Sequence, residues 1–235
     1  MGKLVFHGHA CVEIVAADGT RILIDPFLTE NPVAKVGPDH FRDRLDFLLL
    51  THGHFDHVAD AWEILRETGA TLIATYELVS YAAEKKGHEH GHGMNVGGGH
   101  DFPFGRLKLT PAVHTASLNA EGGAAYASTP HGFLLDIDGT RIYHAGDTAL
   151  IKDMELLEGY VDVALLPIGD NFTMGPEDAA RAVEMIRPKT VIPIHFDTWP
   201  LIAQDTDRFR ALVEPRAEVV VLAPGDAMEF NSARS

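Results

Sequence analysis

The run Thr51-His52-Gly53-His54-Phe55-Asp56-His57 places three imidazoles and one carboxylate within six residues. In an extended segment alternate side chains point the same way, so His52 and His54 can share one metal ion. Asp56 and His57 lie past the turn that follows and can face a second ion beside the first. Three further residues of ligand type end apolar runs: His114 in Pro111-Ala112-Val113-His114, Asp147 in Tyr143-His144-Ala145-Gly146-Asp147, and His195 in Ile192-Pro193-Ile194-His195. Strand ends are where site residues gather on α/β folds. Bound metal ions polarise an oxygen under attack and acidify water, so hydrolysis is the chemistry that suits this set.

The elements around these residues must hold them in place. Leu45-Asp46-Phe47-Leu48-Leu49-Leu50 predicts a buried strand. Val58, Ala61, Trp62 and Leu65 fall on one helical face, with Gly69 as the C-terminal cap. The His/Asp run therefore belongs on a strand-to-helix loop. Upstream, Val12 to Val15 and Arg21 to Asp25 predict two strands joined through Asp18-Gly19, a strong hairpin signal. Residues 71–74 predict a strand and 76–86 a second helix. Residues 87–103, rich in Gly and His without periodicity, predict an exposed loop. Arg106 to Thr110 alternates as a strand leading to His114.

The second half then repeats the first. Asp138-Gly139-Thr140-Arg141-Ile142 matches Asp18-Gly19-Thr20-Arg21-Ile22 residue for residue, and Val161-Asp162-Val163-Ala164-Leu165-Leu166 parallels the Leu45 strand. A helix opened by Pro176-Glu177-Asp178 and a strand over 190–194 follow in the same order. Two such halves facing each other predict an α/β fold, a four-layer αββα sandwich with helices outside. The expected organisation is one domain over residues 1–235, with its site between the pseudo-repeated halves.

Composition bounds the partners. The 235 residues are 46% hydrophobic and 23% charged, as in an ordinary soluble chain. No stretch approaches the roughly 18 apolar residues that a membrane span needs, and the N-terminus lacks a signal-peptide pattern. A formal net charge of -15 disfavours nucleic acid as a partner, because binding it depends on basic side chains at the phosphates. The expected partner is a small-molecule substrate; the oligomeric state is left open. The single Cys11 excludes an intrachain disulfide and fits a cytoplasmic location.

The pattern His-x-His-x-Asp-His, then His, Asp and His, resembles that of the dinuclear hydrolases of the metallo-β-lactamase superfamily over nearly the whole chain. Gly8-His9-Ala10, Ile24-Asp25-Pro26, Met94-Asn95, His144-Ala145-Gly146-Asp147-Thr148 and Leu166-Pro167-Ile168-Gly169-Asp170-Asn171-Phe172-Thr173-Met174-Gly175 look like a family of small metal-dependent hydrolases related to the L-ascorbate-6-phosphate lactonases. The resemblance implies that His52, His54 and His114 hold one metal, that Asp56, His57 and His195 hold a second, and that Asp147 bridges the two. Two divalent transition-metal ions are then expected, zinc first, with Mn, Ni or Fe acceptable to the same nitrogens. Ions about 3.5 to 4 Å apart can hold a bridging hydroxide that attacks a small ester, lactone or phosphoester. Asp56 and Asp147 are the expected catalytic carboxylates. Asn171 and Thr173 are expected substrate contacts, and His9 either touches substrate, supports a ligand or serves packing. Asp25 either orients a ligand histidine or caps a strand end.

The remaining histidines carry blander expectations. His7 departs from the family pattern and is expected at the surface. His88, His90 and His92 are expected on a solvated loop, His40, His100 and His131 show no partner signal, and His144 fills space. Two rival readings share the fold. A di-iron redox protein usually carries Glu where this chain has His54, and a nuclease or phosphodiesterase acting on nucleic acid would sit poorly with the net acidity.

Overall fold

The computed structural model describes residues 1–119 and 125–230. Leu48, Leu49 and Leu50 set the pattern of the interior: Leu49 faces a core between two sheets, while Leu48 and Leu50 face helices outside. A central strand buried on both faces reads as such an unbroken apolar run.

The first sheet is built from β1 (Gly2–Gly8), β2 (Cys11–Val15), β3 (Arg21–Ile24), β4 (Phe47–Leu49), β5 (Thr71–Thr75) and β6 (Gly91–Met94). The second holds β7 (Gly99–Phe102), β8 (Gly105–Pro111), β11 (His131–Ile137), β12 (Thr140–His144), β13 (Val163–Pro167), β14 (Thr190–Ile194) and β15 (Glu218–Val219). A short pair, β9 (Ser117–Asn119) and β10 (Ala125–Ala127), lies between β8 and β11 in the chain, and β16 (Ala227–Phe230) returns to pair with β1. The first sheet runs β16-β1-β2-β3-β4-β5-β6 and the second β15-β14-β13-β12-β11-β8-β7.

Leu4, Phe6, Val12 and Ile14 of the first sheet share one core with Leu107, Leu109, Phe133 and Leu135 of the second. Helices α2 (Ala61–Thr68) and α3 (Tyr76–Lys86) cover the first sheet, and α4 (Pro176–Ile186) and α5 (Thr206–Val213) the second. The architecture is the expected αββα sandwich. The repeat also extends to hydrogen bonds. The Asp46 carboxylate accepts from Arg21 N and the Asp162 carboxylate from Arg141 N, at 2.8 and 2.9 Å. In both halves the same aspartate joins a hairpin to a parallel strand, β3 to β4 and β12 to β13.

Two expectations change and one helix is new. The helix expected from Val58 is broken into α1 (Phe55–Val58) and α2. Asp60 sits at the break because its carboxylate accepts from Leu28 N and Thr29 N, and its own N–H donates to Pro26 O. These tertiary bonds fix the loop after β3 against the His/Asp run. Residues 87–103 are not an irregular loop but carry β6 and β7. Gly91 and Gly93 lower strand propensity, yet α3 packs so close that a Cβ at Gly91 would lie 2.5 Å from Val79. Helix α5, for which no expectation was formed, starts at Asp205, whose carboxylate accepts from Asp207 N and Arg208 N.

Candidate metal centre

His52, His54 and His57 leave the carboxyl end of β4 and the start of α1, opposite His114 after β8, Asp147 after β12 and His195 after β14. Both halves thus feed one site, at the end of the sandwich where the central parallel strands finish. Gly146 makes the approach of Asp147 possible. Its φ is +63°, and a Cβ there would lie 2.7 Å from His131 O. His9, Asp25 and His195 also hold left-handed backbone, with φ of 59°, 48° and 54°. Such conformations are costly for these residues and gather at functional sites. Those at His9 and His195 are tied together, since His195 N donates to His9 O at 2.7 Å.

The ligand-type atoms form overlapping groups: His52, His54 and His114; His52, His57 and Asp147; and His9, Asp56, His57 and His195. In the first, His54 Nδ1 lies 3.0 Å from His52 Nε2 and 3.2 Å from His114 Nε2. Asp147 Oδ2 spans the groups, 3.1 Å from His195 Nε2, 3.3 Å from His57 Nε2, 3.5 Å from His114 Nε2 and 3.9 Å from His52 Nε2. Asp56 Oδ2 lies 3.6 Å from His195 Nε2 and 3.8 Å from His57 Nε2.

Behind these atoms sits a supporting layer. Asp25 is fully buried; it accepts from Thr51 N and Thr51 Oγ1 and lies 2.8 Å from His57 Nδ1. The aspartate thereby fixes the His57 ring with Nε2 turned to the site, as a carboxylate behind a ligand histidine does. His9 uses both ring nitrogens, 2.9 Å from Asp56 Oδ2 and 2.8 Å from Thr198 Oγ1. His144, expected only to fill space, donates Nε2–H to Ala10 O and accepts from Gly146 N, bracing the turn before Asp147. Gly53 N donates to Ser128 Oγ, which ties the His/Asp run to the segment after His114.

Electrostatics follows from this crowding. Burial pushes His52 well below the usual imidazole range, with His57 beside it adding to the effect. Burial also lowers His54 and His114. It brings His9 down to about 4, helped by His195, which leaves His9 neutral with Nε2–H for Asp56. At Asp147 burial alone would raise the pKa, but His195 and His57 drive the carboxyl well below its ordinary value. Burial likewise opposes charging of His57 and His195, yet Asp147 and its neighbouring carboxylates hold His57 well above and His195 at about 9.

The donor set fits divalent metal. Among the described residues, His57 Nε2, both nitrogens of His195 and Asp147 Oδ1 are buried with no hydrogen-bond partner. Buried polar atoms are rarely left so unless something else binds them. A field that retains protons on buried imidazoles also favours a cation, which would displace those protons on binding. Cys11 lies away, in the core between the first sheet and its helices.

Other sequence expectations fare differently. Asn171 is exposed in a left-handed turn, and the Thr173 hydroxyl donates to Met174 O within the same loop. That loop leans on the Asp147 turn through Met174 N to Thr148 O. His7 is a correction: it is buried, 3.2 Å from Glu13 Oε2 and edge-on to Phe41. The signal was Glu13 on the paired strand, a buried acid that needs a partner. His131 is buried too, with Nδ1–H donated to Thr129 O.

A two-sheet sandwich with a shared His/Asp centre at its strand ends defines a metallo-β-lactamase-type metal-dependent hydrolase. Residues 20–196 match the β-lactamase superfamily domain. The chain is 48% identical to a UPF0173 metal-dependent hydrolase of Pelotomaculum thermopropionicum, over 97% of this chain and all of that one. It is 47% identical to another of Exiguobacterium sp., over 93% and 100% of the two chains. Among solved structures it is similar to Igni18, a metallo hydrolase from the hyperthermophilic archaeon Ignicoccus hospitalis, with a TM-score of 0.84, 34% identity and coverage of 98% and 99%. The chain belongs to the UPF0173 family of metal-dependent hydrolases.

Proposed function

We propose that this hydrolase is dinuclear and cleaves a small ester, lactone or phosphoester. The observation that carries the reading is the position of Asp147, whose Oδ2 lies within 4 Å of histidines from both groups. In this reading His52, His54 and His114 hold one ion, Asp56, His57 and His195 hold the other, and Asp147 reaches both. Zinc suits the set best, and Mn, Ni or Fe would suit the same donors. When bound, such a pair supplies Lewis acidity and an acidified water for attack on the substrate.

The chain's own residues do the rest. Asp25 holds His57 Nδ1–H, leaving the Nε2 lone pair for the site. His9 donates to Asp56 and so acts as a positioning residue, its nitrogens being spent on Asp56 and Thr198. His52, His57 and His195 are buried and close the site from behind, while half-buried His54, His114 and Asp56 leave its front open to substrate. Asn171 and Thr173 stand on the neighbouring loop as proposed substrate contacts. The acidity of the chain makes a small molecule, not nucleic acid, the partner in this reading, and the lone buried cysteine suits a reducing cytoplasm. No helix among the described residues is long and apolar enough to cross a membrane.

The test is a screen of metal-quantified protein against lactones, carboxylic esters and phosphodiesters, with Asp147→Asn beside it. Turnover that is lost in the folded Asp147→Asn protein is expected. Turnover near wild type in that variant would remove Asp147 from its role.

A further inference from the structure

An aromatic strip leads out of the metal centre. His9, which holds Asp56, packs against Trp199 and Phe27 at ring-centroid distances of 5.0 and 5.6 Å. Phe27 in turn meets Trp199 at 5.8 Å and Phe55 at 5.6 Å. Phe55 stands between His54 and Asp56, two of the half-buried site residues, and is 53% exposed. A large apolar ring left in water beside the open face of a reactive site is suited to covering by substrate. Aromatic rings prefer tilted or edge-on partners, which this strip offers.

Charge points the same way. The described segments that carry the site, residues 7–10, 25–31, 51–58, 112–119, 125–130, 145–151, 168–175 and 195–204, contain no Lys or Arg. They do carry Asp25, Glu30, Asp56, Asp147, Asp170 and Asp197. The cation next in sequence, Lys152, is paired with Glu155. Apart from a bound metal, an anionic group on the substrate would find carboxylates and no basic side chain among the described residues of these segments.

Resting on the hydrolase reading above, we propose that the substrate is uncharged away from its scissile bond and carries a planar apolar group, seated on Phe55 and Trp199. Phe55 is then a specificity-determining residue.

The test has two arms on metal-loaded protein. In the first, kcat/KM is measured for ethyl acetate, phenyl acetate and 4-carboxyphenyl acetate. Wild type is expected to favour phenyl acetate over its carboxylated form by about tenfold or more, and Phe55→Ala to lower the preference for phenyl over ethyl acetate by about tenfold, through KM. Phe55→Tyr should restore it. In the second arm, Trp62→Phe leaves Trp199 as the only tryptophan, and its fluorescence follows binding of benzamide and of 4-carboxybenzamide whether or not any ester is cleaved. Benzamide should bind tighter, and more weakly once Phe55 is Ala. Benzamide binding that depends on Phe55 without ester cleavage would uphold this inference while defeating the carboxylic-ester part of the reading above. Ester cleavage indifferent to the ring, to the remote charge and to Phe55→Ala would overturn the inference and leave that reading intact. Failure of both arms would overturn the inference together with the carboxylic-ester part of that reading.

Discussion

Asp25 touches no expected substrate position, yet the orientation of His57 depends on it. Its carboxylate also accepts from Thr51 N, so the start of the His/Asp run and the ring at its end share one anchor. Replacing it by Asn keeps the volume but removes the charge that favours the Nδ1–H tautomer. Asp25→Asn should lower metal affinity roughly 10- to 100-fold, read by competition with a chromophoric chelator. Unchanged affinity would show that His57 is oriented by packing alone. At this scale the seven ligand-type residues were legible because four stand in one short run and the other three each end an apolar run. His7 was not, and for His9 the choice between substrate contact and support stayed open, since a single histidine does not reveal its partner. Thr198 and Asp56 lie 189 and 47 residues from His9 in the chain.

Among the elements, the β1–β2 pair carries a buried charge cluster away from the centre. Glu13 is 3% exposed and bonds His7 and the Arg21 guanidinium, whose Nε donates at 2.8 Å. Burial alone would raise its pKa, but the hydrogen bonds from His7 and Arg21 bring it down from 4.5 to about 2. A depressed folded-state value contributes stability that is complete above pH 4.5 and lost as pH falls from there toward 2. Metal-free Glu13→Gln should be less stable than metal-free wild type by about 3 kcal/mol near neutrality, with the gap narrowing through that window in urea titrations. A gap that does not change with pH would assign the loss to packing. The repeated hairpins and the strands after them were readable because Asp-Gly turns and buried parallel strands have local signatures. Strands β6 and β7 were hidden by their glycines, of which Gly91 and Gly93 in β6 answer to the approach of α3. The break between α1 and α2 was hidden because Asp60 bonds to a loop some 30 residues upstream.

At the scale of the molecule, the two halves are joined by one core and by one centre, and neither half holds the full ligand set. His92 and His100 stand on edge strands of opposite sheets with ring centroids 4.3 Å apart, well away in the chain from the strand ends that build the centre. Replacing His88, His90 and His92 together by Ala should therefore leave tightly bound metal and turnover almost unchanged, as elemental analysis and an activity assay would show. Loss of metal in that variant would place a ligand on the wrong strand. The sandwich itself was legible from the order of elements, because two copies of the same run must bury their apolar faces against each other. The measurement that bears most directly on the account is the metal content of the purified, metal-replete chain, beside that of His195→Ala. Close to two transition-metal ions per wild-type chain and close to one in the variant are expected. One ion or fewer in wild type, or two retained without His195, would contradict a dinuclear centre built from both halves.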